Sequence, residues 1–344
     1  MVIIMQTGAS EAEVEAVIKA VEKAGFRPFI NPGVERKVIA LLGAVDAEKA
    51  ELADHFSALP GVERVTLISE PYKLASRRTH PEPSVVQVGP VAIGSPQLAV
   101  IAGPCSVESR EQMLEAAMAV KKAGANLLRG GAFKPRTSPY SFQGLGVAGL
   151  EILAEARELT GLPVVTEVLH PDDLEAIAAY ADVLQIGARN MQNYRLLQDV
   201  GQTGKPVVLK RNPGCRVREL LMASEYIMLE GNLNVILCER GITTFEDATR
   251  YTMDLNAIPV IKRLSHLPVI ADPSHATGDW RYVTAVALGA IAAGADGIMV
   301  EVHPEPANAL SDGPQSLEPE RFAQLTEALA RVAAAVGREM RPAA

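Results

Sequence analysis

Cysteine is scarce. Cys105, Cys215 and Cys238 are the three in 344 residues, too few and too scattered for a disulfide framework, so a reducing compartment is expected. No secretory leader is expected either: MVIIMQTGAS has no basic n-region and its apolar run is too short. No uninterrupted apolar stretch approaches the roughly 18–20 residues that span a bilayer. The best candidate, Val283 to Val300, is broken by Gly289, Gly294, Asp296 and Gly297. Positive charge is not in excess either. The net charge of −8 argues against a nucleic-acid partner, and it makes any local cluster of arginine and lysine more informative. These absences describe a soluble, cytoplasmic protein with neither a membrane nor a nucleic acid as partner.

What is present divides in two. VIIMQT reads as a strand. Ser10 then caps an amphipathic helix, EAEVEAVIKAVEKAG, that stops at Gly25. FRPFI and KVIALLG read as strands with a turn at Asn31–Gly33, a second helix starts at Asp46, and ERVTLIS completes a β-α-β-β-α-β order, the ferredoxin-like arrangement. His55 sits alone on its helix, and nothing in residues 1–69 looks catalytic. Residues 70–84, EPYKLASRRTHPEPS, are polar with three prolines and read as a linker. VVQV and VAI flank Gly89–Pro90 as a hairpin placed to plug the bottom of a barrel.

From residue 85 to 340 the chain alternates apolar, β-branched runs with helical stretches. The runs are LAVIAG, NLLRGG, PVVTEV, VLQIGA, PVVLKR, NVILCE, PVIADP and GIMVEV. Strands buried on both faces read this way, and eight such units match a closed (β/α)8 TIM barrel. An open doubly wound sheet is disfavoured because no G-x-G-x-x-G follows the first run. The expected fold is therefore a (β/α)8 barrel preceded by a small α+β ferredoxin-like domain.

The runs end at Cys105, Arg129, Glu167, Arg189, Lys210, Arg240, His275 and Glu301, and in a barrel the carboxyl ends face one pocket. Six cations, Arg129, Lys134, Arg136, Arg189, Lys210 and Arg240, would converge there. Unpaired cations in a concave site call for anionic ligands, with arginine suited to bidentate phosphate or carboxylate. Ion pairing with neighbouring carboxylates such as Glu167 and Glu239 is the bland alternative. GGAFKPRTSPYSFQGLG adds Thr137 and Ser138 as phosphate-type donors. Cys105, His275, Glu301 and Asp312 supply S, N and O donors suited to one divalent transition metal. Barrel closure would bring Cys105 beside the other three. A Cys105–His275 nucleophile pair is the competing idea, and a Schiff base on Lys210 with Arg211 beside it is a third. Cys215 and Cys238 read as structural.

IAGPCSVE, LRGGAFKPRTSPYSFQGLG, VVTEV, LQIGARN, VLKR, ILCERGITTFE, DPSH and VEVHPEPANALSDGPQSL together resemble the metal-dependent 3-deoxy-D-arabino-heptulosonate 7-phosphate (DAHP) synthases, in the form with an N-terminal ferredoxin-like domain. The resemblance implies condensation of phosphoenolpyruvate with erythrose 4-phosphate at the head of the shikimate pathway. It implies one metal ion (Mn, Fe, Co or Zn) on Cys105, His275, Glu301 and Asp312. Arg189 and Arg240 would take the phosphate of phosphoenolpyruvate, and Arg129 and Lys210 its carboxylate. Lys134, Arg136 and Thr137 would receive erythrose 4-phosphate, with Lys134 as general acid. It also implies an aromatic amino acid as feedback effector on the first domain and a homotetramer. The related 3-deoxy-octulosonate 8-phosphate synthases, which use arabinose 5-phosphate, carry Ala-Asn-Arg where this chain has Lys134-Pro135-Arg136-Thr137. A barrel kept only as an amino-acid-sensing scaffold would be expected to have lost a ligand or a cation, and none is missing. Two loops depart from the family pattern, RNPGCRVREL after Lys210 and DPSHATGDWRY. Glu167 is left without an assigned task beyond orienting a neighbouring lysine or arginine.

Overall fold

The structure is a computed structural model that describes residues 1–32, 37–42, 49–66, 71–136 and 138–340. It resolves into two compact units, Met1–Glu82 with Leu264–His266, and Pro83–Arg263 with Leu267–Ala344. Among the described residues no helix is long and apolar enough to cross a membrane.

The first unit carries β1 (Val2–Met5), α1 (Glu11–Lys23), β2 (Arg27–Pro32), β3 (Lys37–Leu42), α2 (Lys49–Ser57) and β4 (Val62–Thr66). The sheet order is β2-β3-β1-β4, antiparallel throughout, which is the ferredoxin-like arrangement. Ser10 caps α1 in a reciprocal box with Glu13, satisfying two backbone donors the helix start would leave open. Val14, Val17 and Val21 then fall on one helical face and meet Met1, Ile3, Met5, Ile39 and Leu41 of the sheet. Fully burying each such side chain stabilises the fold by about 1.5–3 kcal/mol. The strand pairing β2–β3 runs through Asn31 and Pro32, past the expected start of the turn. Gly33 and the expected helix start at Asp46 lie outside the described residues. Tyr72, Leu74 and Ala75, in the segment expected as a linker, are buried.

The second unit opens with a hairpin, β5 (Val86–Val88) and β6 (Val91–Ile93). Eight parallel strands come after it: β7 (Ala99–Gly103), β8 (Leu127–Arg129), β9 (Val164–Glu167), β10 (Val183–Ile186), β11 (Val207–Lys210), β12 (Val235–Glu239), β13 (Val269–Ala271) and β14 (Gly297–Glu301). They pair in chain order and close through β14 and β7. Val86, Val88, Val91 and Ile93 of the hairpin share one apolar cluster with Ala99, Leu127, Val183, Val208 and Ile236. Those partners sit at or near the strand starts, so the hairpin fills the amino end of the barrel. The carboxyl end is left for chemistry.

Candidate active site

Between the carboxyl ends of the strands lies a cleft of about 360 Å³, the size range of small-molecule sites. Arg129, Lys134, Arg136, Arg189, Lys210, Arg240 and Arg250 line it, against the carboxylates Glu167 and Asp312. Most arrive on a strand end or the turn just after one. Arg129, Glu167 and Lys210 close β8, β9 and β11, Arg240 follows β12, and Arg189 sits in a short 3-10 turn after β10. All six expected cations are thus in one cleft. Thr137, expected with them, lies outside the described residues.

A second group of side chains gathers at one corner. Closure sets Glu301 of β14 opposite Gly103 of β7, and Cys105 lies just beyond. Donor atoms of Cys105, Glu301 and Asp312 fall within 4.8 Å of one another, with Cys105 Sγ 3.1 Å from Asp312 Oδ2. His275 is outside that trio but adjoins it, its Nε2 3.4 Å from Glu301 Oε1. It stands on the short helix Pro273–Thr277, whose first turn is capped by Asp272. Asp272 Oδ1 accepts from the His275 backbone N–H at 3.0 Å, and Oδ2 lies 2.8 Å from Nδ1. A carboxylate on one imidazole nitrogen leaves the other to face a ligand. Asp312 holds φ at 51°, a left-handed conformation uncommon for a residue other than glycine.

The electrostatics of this corner fit a cation. Glu301 is wholly buried, and its Oε1 has no hydrogen-bond partner among the described residues. It has only ionic company, Arg129 Nη2 at 3.1 Å and the His275 ring. Burial, and then the Glu301 charge, push the Cys105 thiol up to about 12, with Lys134 opposing. Burial works to raise Asp272, but His275 and Lys210 outweigh it and hold its carboxyl well below the usual range. Asp312 is held down likewise, against burial, by His275 and the Cys105 hydrogen bond. One soft and three harder donors around an unsatisfied carboxylate oxygen are the chemistry of a divalent transition-metal site.

Neighbours hold most of the cleft's cations in place. Lys210 Nζ meets Asp272 Oδ2 at 2.5 Å, so this one carboxylate touches both a cleft cation and His275. Arg129 pairs with Glu301, Arg189 donates to the Pro135 carbonyl, and the Arg240 guanidinium stacks 4.5 Å over the Tyr251 ring. Lys134 Nζ donates to the Cys105 carbonyl at 2.9 Å and lies 3.0 Å from its Sγ. Arg211 turns away from Lys210 to pair with Glu239 at 2.8 Å and Asp254 at 3.0 Å. The cationic neighbour that would activate Lys210 for a Schiff base is therefore engaged elsewhere. Ion pairing with neighbouring carboxylates holds for two of the six expected cations, Arg129 with Glu301 and Lys210 with Asp272, rather than with Glu167 or Glu239.

Cys238 belongs to the barrel core and Cys215 is buried after β11. Glu167 lines the cleft and accepts from Gln185 Nε2 at 3.2 Å. A Cβ on Gly187 would lie 2.0 Å from Glu167 Oε1, so glycine there leaves the carboxylate its place. Arg250, Tyr251, Gln185 and Asn212 also line the cleft. Sequence reasoning did not single them out, because none ends an apolar run in a motif with chemistry of its own.

Fold and cleft together define a (β/α)8 barrel with a cation-lined cleft beside a cluster of side chains that could hold a metal ion. Residues 77–337 match the DAHP synthetase I family, and residues 1–70 match the DAHP synthase ferredoxin-like domain. Over 337 residues the chain is 49% identical to a phospho-2-dehydro-3-deoxyheptonate aldolase of Thermotoga maritima, covering 98% of this chain and 99% of that one. The crystal structure of a DAHP synthase from Thermotoga maritima, 47% identical, superposes with a TM-score of 0.78 over 99% of this chain and 98% of that one. A 2-dehydro-3-deoxyphosphooctonate aldolase of Syntrophobacter fumaroxidans is 35% identical over 69% of this chain and 88% of its own. The chain belongs to the DAHP synthetase I family and is an enzyme of the DAHP synthase type, with the ferredoxin-like domain ahead of its barrel.

Proposed function

We propose that the cleft joins phosphoenolpyruvate, erythrose 4-phosphate and water into DAHP and inorganic phosphate, the entry to aromatic biosynthesis. The observation that carries this is seven cations against the carboxylates Glu167 and Asp312 in one cleft, with Cys105, His275 and Glu301 gathered near Asp312. Arg189 and Arg240 take the phosphate of phosphoenolpyruvate, while Arg129 and Lys210 take its carboxylate. Arg136 and Thr137 take the phosphate of erythrose 4-phosphate. Cys105, His275, Glu301 and Asp312 would hold one divalent ion, with the thiolate favouring Mn, Fe, Co or Zn over Mg. When bound, such an ion supplies Lewis acidity to an aldehyde oxygen or activates water. Lys134 is taken to lie near the aldehyde, and its ammonium delivers a proton to the oxygen that becomes the hydroxyl. Carbon 3 of the enol phosphate forms the new bond to the aldehyde carbon. Water adds at carbon 2, and the C–O bond to phosphate is the one lost.

The effector of the ferredoxin-like domain is assigned as an aromatic amino acid, tyrosine or phenylalanine, bound at a subunit contact of a homotetramer, with the enzyme in the cytoplasm. Phe29 puts an apolar side chain where the family tends to place a polar effector contact. The aldehyde is tested by measuring phosphoenolpyruvate consumption with each sugar phosphate. Erythrose 4-phosphate should exceed arabinose 5-phosphate in kcat/KM by at least about tenfold. A preference for arabinose 5-phosphate would assign the cleft to the octulosonate reaction instead.

A further inference from the structure

Arg250 lines the cleft outside the substrate contacts proposed for the condensation. It reaches two carboxylates, one directly and one through an amide. Its Nη1 donates to Gln315 Oε1 at 3.0 Å and lies 3.7 Å from Asp312 Oδ1. Gln315 in turn donates from Nε2 to Glu301 Oε2 at 2.7 Å. Because the guanidinium can only donate, it fixes which end of the Gln315 amide faces Glu301. In each carboxylate one oxygen is thereby taken from outside: Asp312 Oδ1 by Arg250, and Glu301 Oε2 by Gln315. The two oxygens left over look into the donor cluster. Asp312 Oδ2 meets Cys105 Sγ at 3.1 Å, and Glu301 Oε1 has no hydrogen bond among the described residues and lies 3.4 Å from His275 Nε2.

The backbone repeats the pattern. Arg250 N–H donates to the Thr277 carbonyl at 3.0 Å, and Tyr251 N–H to the Ala276 carbonyl at 2.8 Å. The loop after β12 is thus stitched to the helix that carries His275. Gln315 is 3% exposed, so its bond to Glu301 is shielded from water and orients that carboxylate more firmly than it would at a surface, while the bond from Arg250 is part-buried.

We infer that Arg250 is a positioning residue for the metal corner: through Gln315 and Asp312 it aims one oxygen of each carboxylate at the ion and so sets metal affinity. This rests on the proposed metal site. The test is cobalt titration of the chelator-stripped full chain, reading the thiolate-to-cobalt charge-transfer band and the Kd by chelator competition. Arg250→Met should weaken cobalt binding about ten- to a hundredfold and shift the band. Arg250→Lys should recover part of the loss. Gln315→Leu should weaken binding in the same direction with Arg250 in place. At saturating cobalt, Arg250→Met should lower kcat and leave the KM for phosphoenolpyruvate near its original value. Native cobalt affinity and spectrum in Arg250→Met would overturn the inference. So would a raised KM for either sugar or enol phosphate with cobalt affinity intact, which marks a substrate cation. If Arg250→Met does not fold, unchanged affinity in Gln315→Leu overturns the inference by itself. A wild-type chain without any cobalt–thiolate band would instead remove the metal site, and the inference with it.

Discussion

Replacing Lys134 with methionine is expected to lower kcat by about 10²–10⁴-fold, the scale of a lost general acid, while leaving phosphoenolpyruvate binding nearly unchanged. The side chain is buried, and its Nζ is anchored on the carbonyl and Sγ of Cys105. Burial by itself would depress the ammonium, but Cys105 and Glu167 face it and the net effect raises its pKa. A raised pKa keeps the ammonium protonated, and the part owed to Cys105 needs its thiolate form. Methionine keeps most of the length of the stem and fills the same space, so the loop stitched by Lys134 N–H to the Gln143 carbonyl and Gly146 N–H to the Ala132 carbonyl should persist. Steady-state turnover and calorimetric phosphoenolpyruvate binding check this together. Unchanged turnover would remove Lys134 from the mechanism, and lost binding would move it into the phosphoenolpyruvate cradle.

The second large effect is expected at Cys105. Cys105→Ala removes the single soft donor from the corner and leaves Glu301, Asp312 and His275. Metal affinity should fall by at least about a hundredfold, more than for the loss of an outer-shell partner, and turnover at trace metal should vanish. The thiol also predicts a pH dependence. Apart from metal it is pushed up to about 12, so at neutral pH it carries a proton that loading must release. Lower pH favours that proton, hence apparent affinity should rise with pH, about tenfold per unit for one proton released, and this slope should disappear in Cys105→Ala. Metal content after dialysis, and proton release on titration, check both statements. Stoichiometric metal retained by Cys105→Ala would contradict the assignment of the thiol as a ligand.

Much of this was legible in the chain. The eight barrel strands announce themselves because each is buried on both faces and so reads as a continuous Val/Ile/Leu run. The charge at each run's end follows from where barrels keep their chemistry. The first domain was legible from the Ser10 cap and the valines spaced along α1. Arg250 and Gln315 were not legible. Both lie in loops, away from any run's end, and their meeting across the barrel mouth depends on how two distant loops fold over it. Asp272 was visible in DPSH, yet nothing local says that one carboxylate would touch both Lys210 and His275. Arg211 stands beside Lys210 in sequence, but its side chain points away from the cleft, where Glu239 and Asp254 draw it. Glu167 was placed at a strand end without a task. Its charge acts on both Lys134 and Arg129.

A metal held by Cys105, His275, Glu301 and Asp312 is proposed as a requirement of the condensation. The most direct measurement is phosphoenolpyruvate consumption with erythrose 4-phosphate before and after treatment with a strong chelator, and again on readdition of manganese, iron, cobalt or zinc. Activity should be lost on chelation and restored by at least one of these ions. Activity untouched by complete removal of metal would contradict it.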